Sequence, residues 1–150
     1  MGKKHVVGTN QEDTIKEAEK IEASLKKEVK IKASDRVSEG RIYISSSYNN
    51  TIISLTNNMG QVLSSKSAGA VGFKGAKKAT SFAASRVAEA ITNVCKKLAM
   101  EKIEVFIKGI GAGRESAVRT LVNQGLNVIS IKDITPIPHN GCRPRKVRRV

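Results

Sequence analysis

A strand, a glycine-rich turn, a helix and a second strand follow one another between Ile103 and Lys132, and this succession constrains the fold more than any other part of the chain. Ile103 to Lys108 is short and apolar, and Gly109-Ile110-Gly111-Ala112-Gly113 makes the turn. Arg114 to Gln124 has helical composition, Gly125 terminates it, and Leu126 to Lys132 is β-rich. Such a βαβ unit crosses over right-handed and places its two strands parallel in one sheet.

The elements upstream read as an antiparallel meander. Ser38 to Tyr48 contains the alternating Arg-Ile-Tyr-Ile-Ser, Thr51 to Thr56 is a second β-rich run, and Asn57-Asn58-Met59-Gly60 supplies turn chemistry before a third strand from Gln61 to Lys66. The stretch AGAVGFKGAKK reads as flexible and basic. Thr80 or Ser81 then caps a helix whose Phe82, Val87, Ile91, Val94 and Leu98 form an apolar stripe, ending near Met100. If this helix carries the chain back past the meander, the fourth strand lands beside the first. The fold predicted is α/β, a mixed five-stranded sheet of order 3-2-1-4-5 flanked by helices. From Thr135 onward Pro136, Pro138 and Pro144 interrupt any periodicity, so the end of the chain is expected to be an extended tail.

Charge divides the same chain differently. Lys and Arg number 27 against 13 Asp and Glu, a formal charge of +14 over 150 residues. Residues 1–36 hold 9 basic and 7 acidic residues, whereas 37–150 hold 18 and 6. The excess belongs to the second part, and a large polyanion is the partner it calls for. In the first part Ile15, Ala18, Ile21, Leu25 and Val29 recur at helical spacing among mixed charges, which reads as one amphipathic helical extension. Whether it docks on its own domain, frays or meets another protein stays open. The organisation expected is thus 1–36 helical extension, 37–134 α/β domain and 135–150 basic tail.

Hydrophobic residues make up 39% of the chain, enough for one modest core. Three Phe, two Tyr and no Trp are too few for a surface that reads single-stranded bases mainly by ring stacking. Cys95 and Cys142 lie far apart without CxxC spacing, so neither a zinc ribbon nor a disulfide scaffold is indicated and a reducing compartment fits. No apolar run reaches the roughly 18 residues of a membrane span. The N-terminus lacks a secretory apolar block, and Val6 stands where a myristoylation motif needs Ser or Thr. A soluble protein that is not exported is expected.

Three segments carry the chemistry. In the tail, Arg143, Arg145, Lys146, Arg148 and Arg149 have no acid among them, and phosphates would satisfy them with release of counterions. In the basic loop, Gly69, Gly72 and Gly75 alternate with Lys74, Lys77 and Lys78, which suits close approach of backbone to a phosphate chain. Gly75 precedes Ala76, so the loop fails the Walker pattern, and a flexible loop without ligand is the plain alternative. In GIGAGRE the third glycine comes too early for GxGxxG. A dinucleotide would need Asp133 as its only ribose partner, whereas exposed amides with Arg114 would suit an RNA phosphate.

Enzyme readings find little support. The acids of the main part are Glu39, Glu89, Glu101, Glu104, Glu115 and Asp133, with no pair placed to present metal ions for phosphodiester cleavage. His139 and Cys142 lack a third partner and sit on a tail, where a polar contact to RNA is the simpler role for His139. Cys95 reads as core. Asn140-Gly141 is a turn dipeptide tolerant of positive φ, and its Asn is a candidate for deamidation.

Four blocks, SYNNTIISLTNNMG, SAGAVGFKGAKKATSFAA, VFIKGIGAGRESAVR and DITPIPHNGCRPRKVRRV, occur in this order and together closely resemble the family of the eleventh small-subunit ribosomal protein, bacterial type, from about Val37 to Val150. The resemblance implies a mixed-sheet domain of ribonuclease-H-like topology without nuclease activity. It further implies a structural role on the small-subunit platform, with ribosomal RNA bound near the exit-site path of messenger RNA, and with neighbouring small-subunit proteins as further partners. It implies no catalytic residue, metal, cofactor, small-molecule substrate or membrane. The ribosome would be cytoplasmic, an organellar one staying open. Carried over by position, the RNA contacts would be Asn49, Asn50, Thr51, Lys66, Lys74, Lys77, Lys78, Lys108, Gly111, Gly113, Arg114, His139, Asn140 and Arg143, extended by Arg145, Lys146, Arg148 and Arg149. Three differences from the family pattern stand out. A mixed-charge helix replaces a shorter basic arm, GIGAGRE replaces GPGPGRE, and Arg145 replaces a proline.

Overall fold

A computed structural model describes residues 38–143, 145 and 146. The helical extension expected within 1–36 and the terminal Arg148 and Arg149 lie outside the described residues. Alternation of apolar and polar residues produces strands β1 (Glu39–Ser46), β2 (Thr51–Asn57) and β3 (Val62–Ser67). Strands β4 (Lys102–Gly109) and β5 (Val128–Asp133) complete a single 5-stranded sheet of order β3-β2-β1-β4-β5, as the sequence predicts. Pairs β1–β2 and β2–β3 are antiparallel, and β1–β4 and β4–β5 are parallel. The turn joining β2 to β3 closes on Asn57, whose side-chain oxygen accepts from the amides of Met59 and Gln61, both at 3.0 Å.

Helices are α1 (Ala68–Val71), α2 (Ser81–Lys97) and α3 (Gly113–Asn123), with a 3-10 turn at Gly75–Ala79. Thr80 is the cap of α2, its hydroxyl accepting from Ala83 N at 3.2 Å. Core residues Ile42, Ile44, Ile53, Leu55, Ile103 and Val105 project from one face of the sheet to meet Val87, Ile91 and Leu121 from α2 and α3. Cys95 lies in this core, where desolvation pushes its thiol up to about 12 and keeps it protonated.

Helices flank the sheet as expected, and among the described residues they lie on one face of it, because Arg41, Tyr43 and Ser45 alternate with the buried Ile42 and Ile44 and stand on the other. Two expectations are corrected. The stretch AGAVGFKGAKK is not merely flexible: Ser67 caps α1, and Ala68, Val71 and Phe73 are buried in the core. Phe82 is 58% exposed, since one turn before Val87 the buried positions are Ala83 and Ala84. Its ring instead sits at the rim, edge-on to Phe73 at 5.9 Å and beneath the Arg86 guanidinium at 5.3 Å.

Helix α2 stops before Met100. Met100 N donates back to Cys95 O and Ala99 N to Lys96 O, both at 3.2 Å, a Schellman-type closure that puts Ala99 at φ 53. A residue with a Cβ costs about 1–2 kcal/mol in that conformation. Ala99→Gly is therefore expected to stabilise the protein by about 1 kcal/mol, read as a higher midpoint in urea with unchanged slope.

Candidate nucleic-acid interface

The register brings the predicted segments to one end of the sheet. Strand β1 finishes at Ser46 opposite the start of β2 at Thr51, β3 finishes at Ser67 opposite Ile52, and β4 finishes at Gly109 beside Ser46. The hairpin turn 47–50, the basic loop after β3, the glycine turn after β4 and the tail after β5 all leave from this end. Segments separated by up to about 90 residues in sequence thus share one rim.

The hairpin turn is closed by Ser47, whose N–H and hydroxyl both donate to Asn50 O, at 2.9 and 3.1 Å. Asn49 is exposed and Asn50 half-buried, with Asn50 Oδ1 shielded and without a partner. Thr51 is fully buried and its hydroxyl lies 3.2 Å from Ser46 Oγ. Asn49 is therefore the member of this trio that the fold presents, and Thr51 shapes the floor beneath it.

Against this turn lies the glycine turn. Gly111 N donates to Ser46 O at 3.0 Å, and a Cβ on Gly111 would fall 2.3 Å from Ser47 O. A Cβ on Gly113 would fall 2.4 Å from Thr51 Oγ1 and 2.8 Å from Ala84 Cβ. Gly109 has φ 100, and its N–H donates to Thr135 Oγ1 at 3.1 Å. The sequence reading of exposed amides here is corrected for Gly109 and Gly111, whose N–H groups are spent within the protein. Both Gly111 and Gly113 are buried, and their missing side chains let two backbones touch.

Arg114 is likewise engaged. Its guanidinium donates to Gly109 O and to Asp133 Oδ2, the latter at 2.5 Å. Asp133 also accepts from Thr135 through Oδ1, from the hydroxyl at 2.6 Å and the amide at 2.8 Å. Those Thr135 bonds, followed by the Arg114 contact, hold the Asp133 carboxyl down at about 2. Ile134 N adds a bond to Ile107 O at 2.8 Å. Asp133, the one residue a dinucleotide ribose would have used, thus fastens the root of the tail.

Beyond that root His139, Asn140, Arg143, Arg145 and Lys146 are exposed, and Asn140 adopts φ 51. On the basic loop Lys74 and Lys77 are exposed and Lys78 half-buried, its stem 3.8 Å from the position of a Cβ on Gly69. Lys66 is half-buried near the end of β3, and Lys108 is exposed near the end of β4. Three acids are paired off: Glu104 accepts from Arg41 at 3.1 Å, Glu39 lies 3.6 Å from Lys102, and Glu89 accepts from Arg86 at 3.0 Å. Sequence reasoning missed Arg119, which with Arg114, Ile107 and Val118 lines a cavity of about 410 Å³ between α3 and β4. Its i+5 spacing from Arg114 gave no signal of their convergence.

A family model described as Ribosomal protein S11 matches residues 40–149. The chain belongs to the ribosomal protein S11 family. Among similar proteins is the small ribosomal subunit protein uS11 of Treponema pallidum strain Nichols, 54% identical over 121 residues, covering 81% of this chain and 96% of the relative. Another is the small ribosomal subunit protein uS11c of Chlorella vulgaris, 51% identical over 133 residues, covering 89% of this chain and 99% of the relative. The matched region of the S11 family contains the whole rim, from the hairpin turn to the tail, and membership makes the chain a non-enzymatic protein.

Two measurements test the local assignments. Gly113→Ala is expected to destabilise by about 1–3 kcal/mol through overpacking against Thr51 and Ala84, seen in chemical denaturation. Because the Asp133 carboxyl is depressed from 3.8 to about 2, its contribution is complete above pH 4 and lost as pH falls toward 2. Asp133→Asn should accordingly melt lower than the parent at pH 6, and the two melting temperatures should converge near pH 2.

Proposed function

We propose that the chain is a structural constituent of the small ribosomal subunit that binds ribosomal RNA through the rim at the end of its sheet. The observation that carries this reading is the convergence of the exposed Asn49 turn, the Lys74–Lys78 loop and the root of the arginine tail on one rim of a protein in the S11 family. The fold does the positioning. Backbone contact between the hairpin and glycine turns fixes the rim, while lysines of the loop and guanidinium groups of the tail neutralise phosphates of RNA segments that would otherwise repel one another.

The candidate contacts divide by role. Asn49, Lys74, Lys77, Lys78, Lys108, His139, Asn140, Arg143, Arg145 and Lys146 face solvent in whole or part and supply the contacting groups, together with Arg148 and Arg149. Asn50 Oδ1 is shielded, so on this reading Asn50 shapes the turn, with a bridging water rather than RNA itself as the partner of its oxygen. Thr51, Gly111, Gly113 and Arg114 act by holding the rim in shape. Specificity follows from RNA shape and 2′-hydroxyl contacts rather than from reading base edges in a groove. On this reading the domain sits on the platform of the assembled particle beside neighbouring small-subunit proteins, supporting assembly and the exit-site path of messenger RNA. The ribosome concerned is the cytoplasmic one of a bacterium or its organellar counterpart.

Truncation after Cys142 removes Arg143, Arg145, Lys146, Arg148 and Arg149. It is expected to weaken binding to small-subunit RNA and to flatten the plot of log affinity against log salt, by roughly 0.7–0.9 for every phosphate no longer neutralised, while the thermal transition of the domain stays in place. An unchanged salt slope would remove the tail from the interface. Failure of the tagged full chain to co-sediment with small subunits would reject the ribosomal reading itself.

A further inference from the structure

The face of the sheet that no helix covers among the described residues carries a row of side chains running across all the strands. Register aligns Ser65 of β3 with Ser54 of β2, Ser54 with Tyr43 of β1, Tyr43 with Phe106 of β4, and Phe106 with Lys132 of β5. Tyr43 and Phe106 stack with centroids 5.0 Å apart and planes at 13°. On the far side of Phe106 the Lys132 ammonium lies 5.6 Å from the ring centroid. The stack is thus closed at one end by a cation. On the side of Tyr43 away from Phe106, its register neighbours are two small residues, Ser54 and Ser65, whose hydroxyls are 3.0 Å apart and exposed.

A flat ring standing beside a floor of two hydroxyls fits a flat guest with a hydrogen-bonding edge. The guest's face would continue the stack, and the bonded serine pair still offers one O–H donor and free acceptor lone pairs to the edge of a base. Lys108, two residues along β4 from Phe106, is exposed and gives the adjoining surface the positive charge a phosphate needs. The acids of this face in β1 and β4 are already neutralised, Glu104 between Arg41 at 3.1 Å and Lys132 at 3.9 Å and Glu39 by Lys102 at 3.6 Å. We propose that Tyr43, Ser54 and Ser65 form a stacking site for one unpaired RNA base on the open face of the sheet. The site deepens the RNA-binding reading above and rests on it. It asks for a single ring, which accords with a chain of only five aromatic residues.

The test separates stacking from phosphate attraction. Two RNA strands of about eight residues and equal charge are titrated against the full chain, one carrying a single adenine among abasic positions and one entirely abasic. The parent protein should prefer the adenine strand by about tenfold, with Tyr43 ring protons shifted upfield only in that complex. Tyr43→Phe keeps the preference and Tyr43→Ser loses it. Ser54→Leu, which leaves the Tyr43–Phe106 stack in place and fills the slot, also loses it, so the outcome does not hinge on the folding of one variant. Equal binding of both strands by the parent, or a preference that survives Tyr43→Ser or Ser54→Leu, overturns the site while leaving the RNA-binding reading intact. Binding of neither strand in dilute salt overturns both. In assembled small subunits a photoactivatable phenylalanine at position 43 should crosslink to RNA, and a crosslink to a protein instead would give the slot to a protein partner and reject the proposal.

Discussion

The rim depends on one backbone-to-backbone contact. Gly111 N–H reaches Ser46 O at 3.0 Å, and there is no room for a Cβ at Gly111 or Gly113 because Ser47 O and Thr51 Oγ1 occupy that space. Strands β1 and β4 are already neighbours in the sheet, so their pairing brings the two following turns together, but pairing alone leaves those turns free to diverge. Close approach without side chains locks them. It also directs α3, which begins at Gly113, back across the core side of the sheet against α2. A single steric requirement therefore sets the hairpin turn, the glycine turn and the helix entry at once.

The same contact explains why residues that look like ligands in the sequence have internal duties. A glycine-rich turn followed by arginine has the composition of a phosphate cradle, and composition does not reveal that neighbouring backbone already occupies the concave side. Arg114 shows this well, since its guanidinium spans from Gly109 O to Asp133 and thereby couples the turn to the start of the tail. With Thr135 bonded both to Asp133 and to Gly109 N, the tail leaves the domain from a fixed point and direction. On the proposed reading, a basic tail with a fixed root forfeits less conformational entropy on ordering than one hinged freely, and Pro136 and Pro138 add to that effect.

Much of the architecture was legible because it follows from local pattern. Alternation in Arg41 to Ser45 placed β1, the Asn57–Gly60 turn fixed the meander, and the crossover rule gave the strand order. What escaped was set by tertiary context. Ala68, Val71 and Phe73 are core residues within a segment too short to show a period, so glycine and lysine dominated its reading. Phe82 joined the apparent stripe by its hydrophobicity, whereas Ala83 and Ala84 occupy the inward positions and only a small residue there allows α3 to approach at Gly113. Of the site, Asn49, the loop lysines and the tail were recognisable as exposed polar groups. Tyr43 was not, because its neighbours come from other strands, and Arg119 was not, because an i+5 spacing from Arg114 gives no sign that the two line one cavity with Ile107 of β4.

Among the described residues helices cover one face of the sheet and leave the other open, and the two faces divide the labour. Stability is drawn from the helix side, where fully buried isoleucines and valines meet α2 and α3. The open side must remain compatible with water, and it does so with ion pairs and serines around one aromatic pair. Stacking Tyr43 on Phe106 and capping Phe106 with Lys132 shields most of that aromatic surface, at no expense to the core behind it. On the proposed reading, this face adds to the RNA-binding rim a surface where charge attracts and one ring fixes the register.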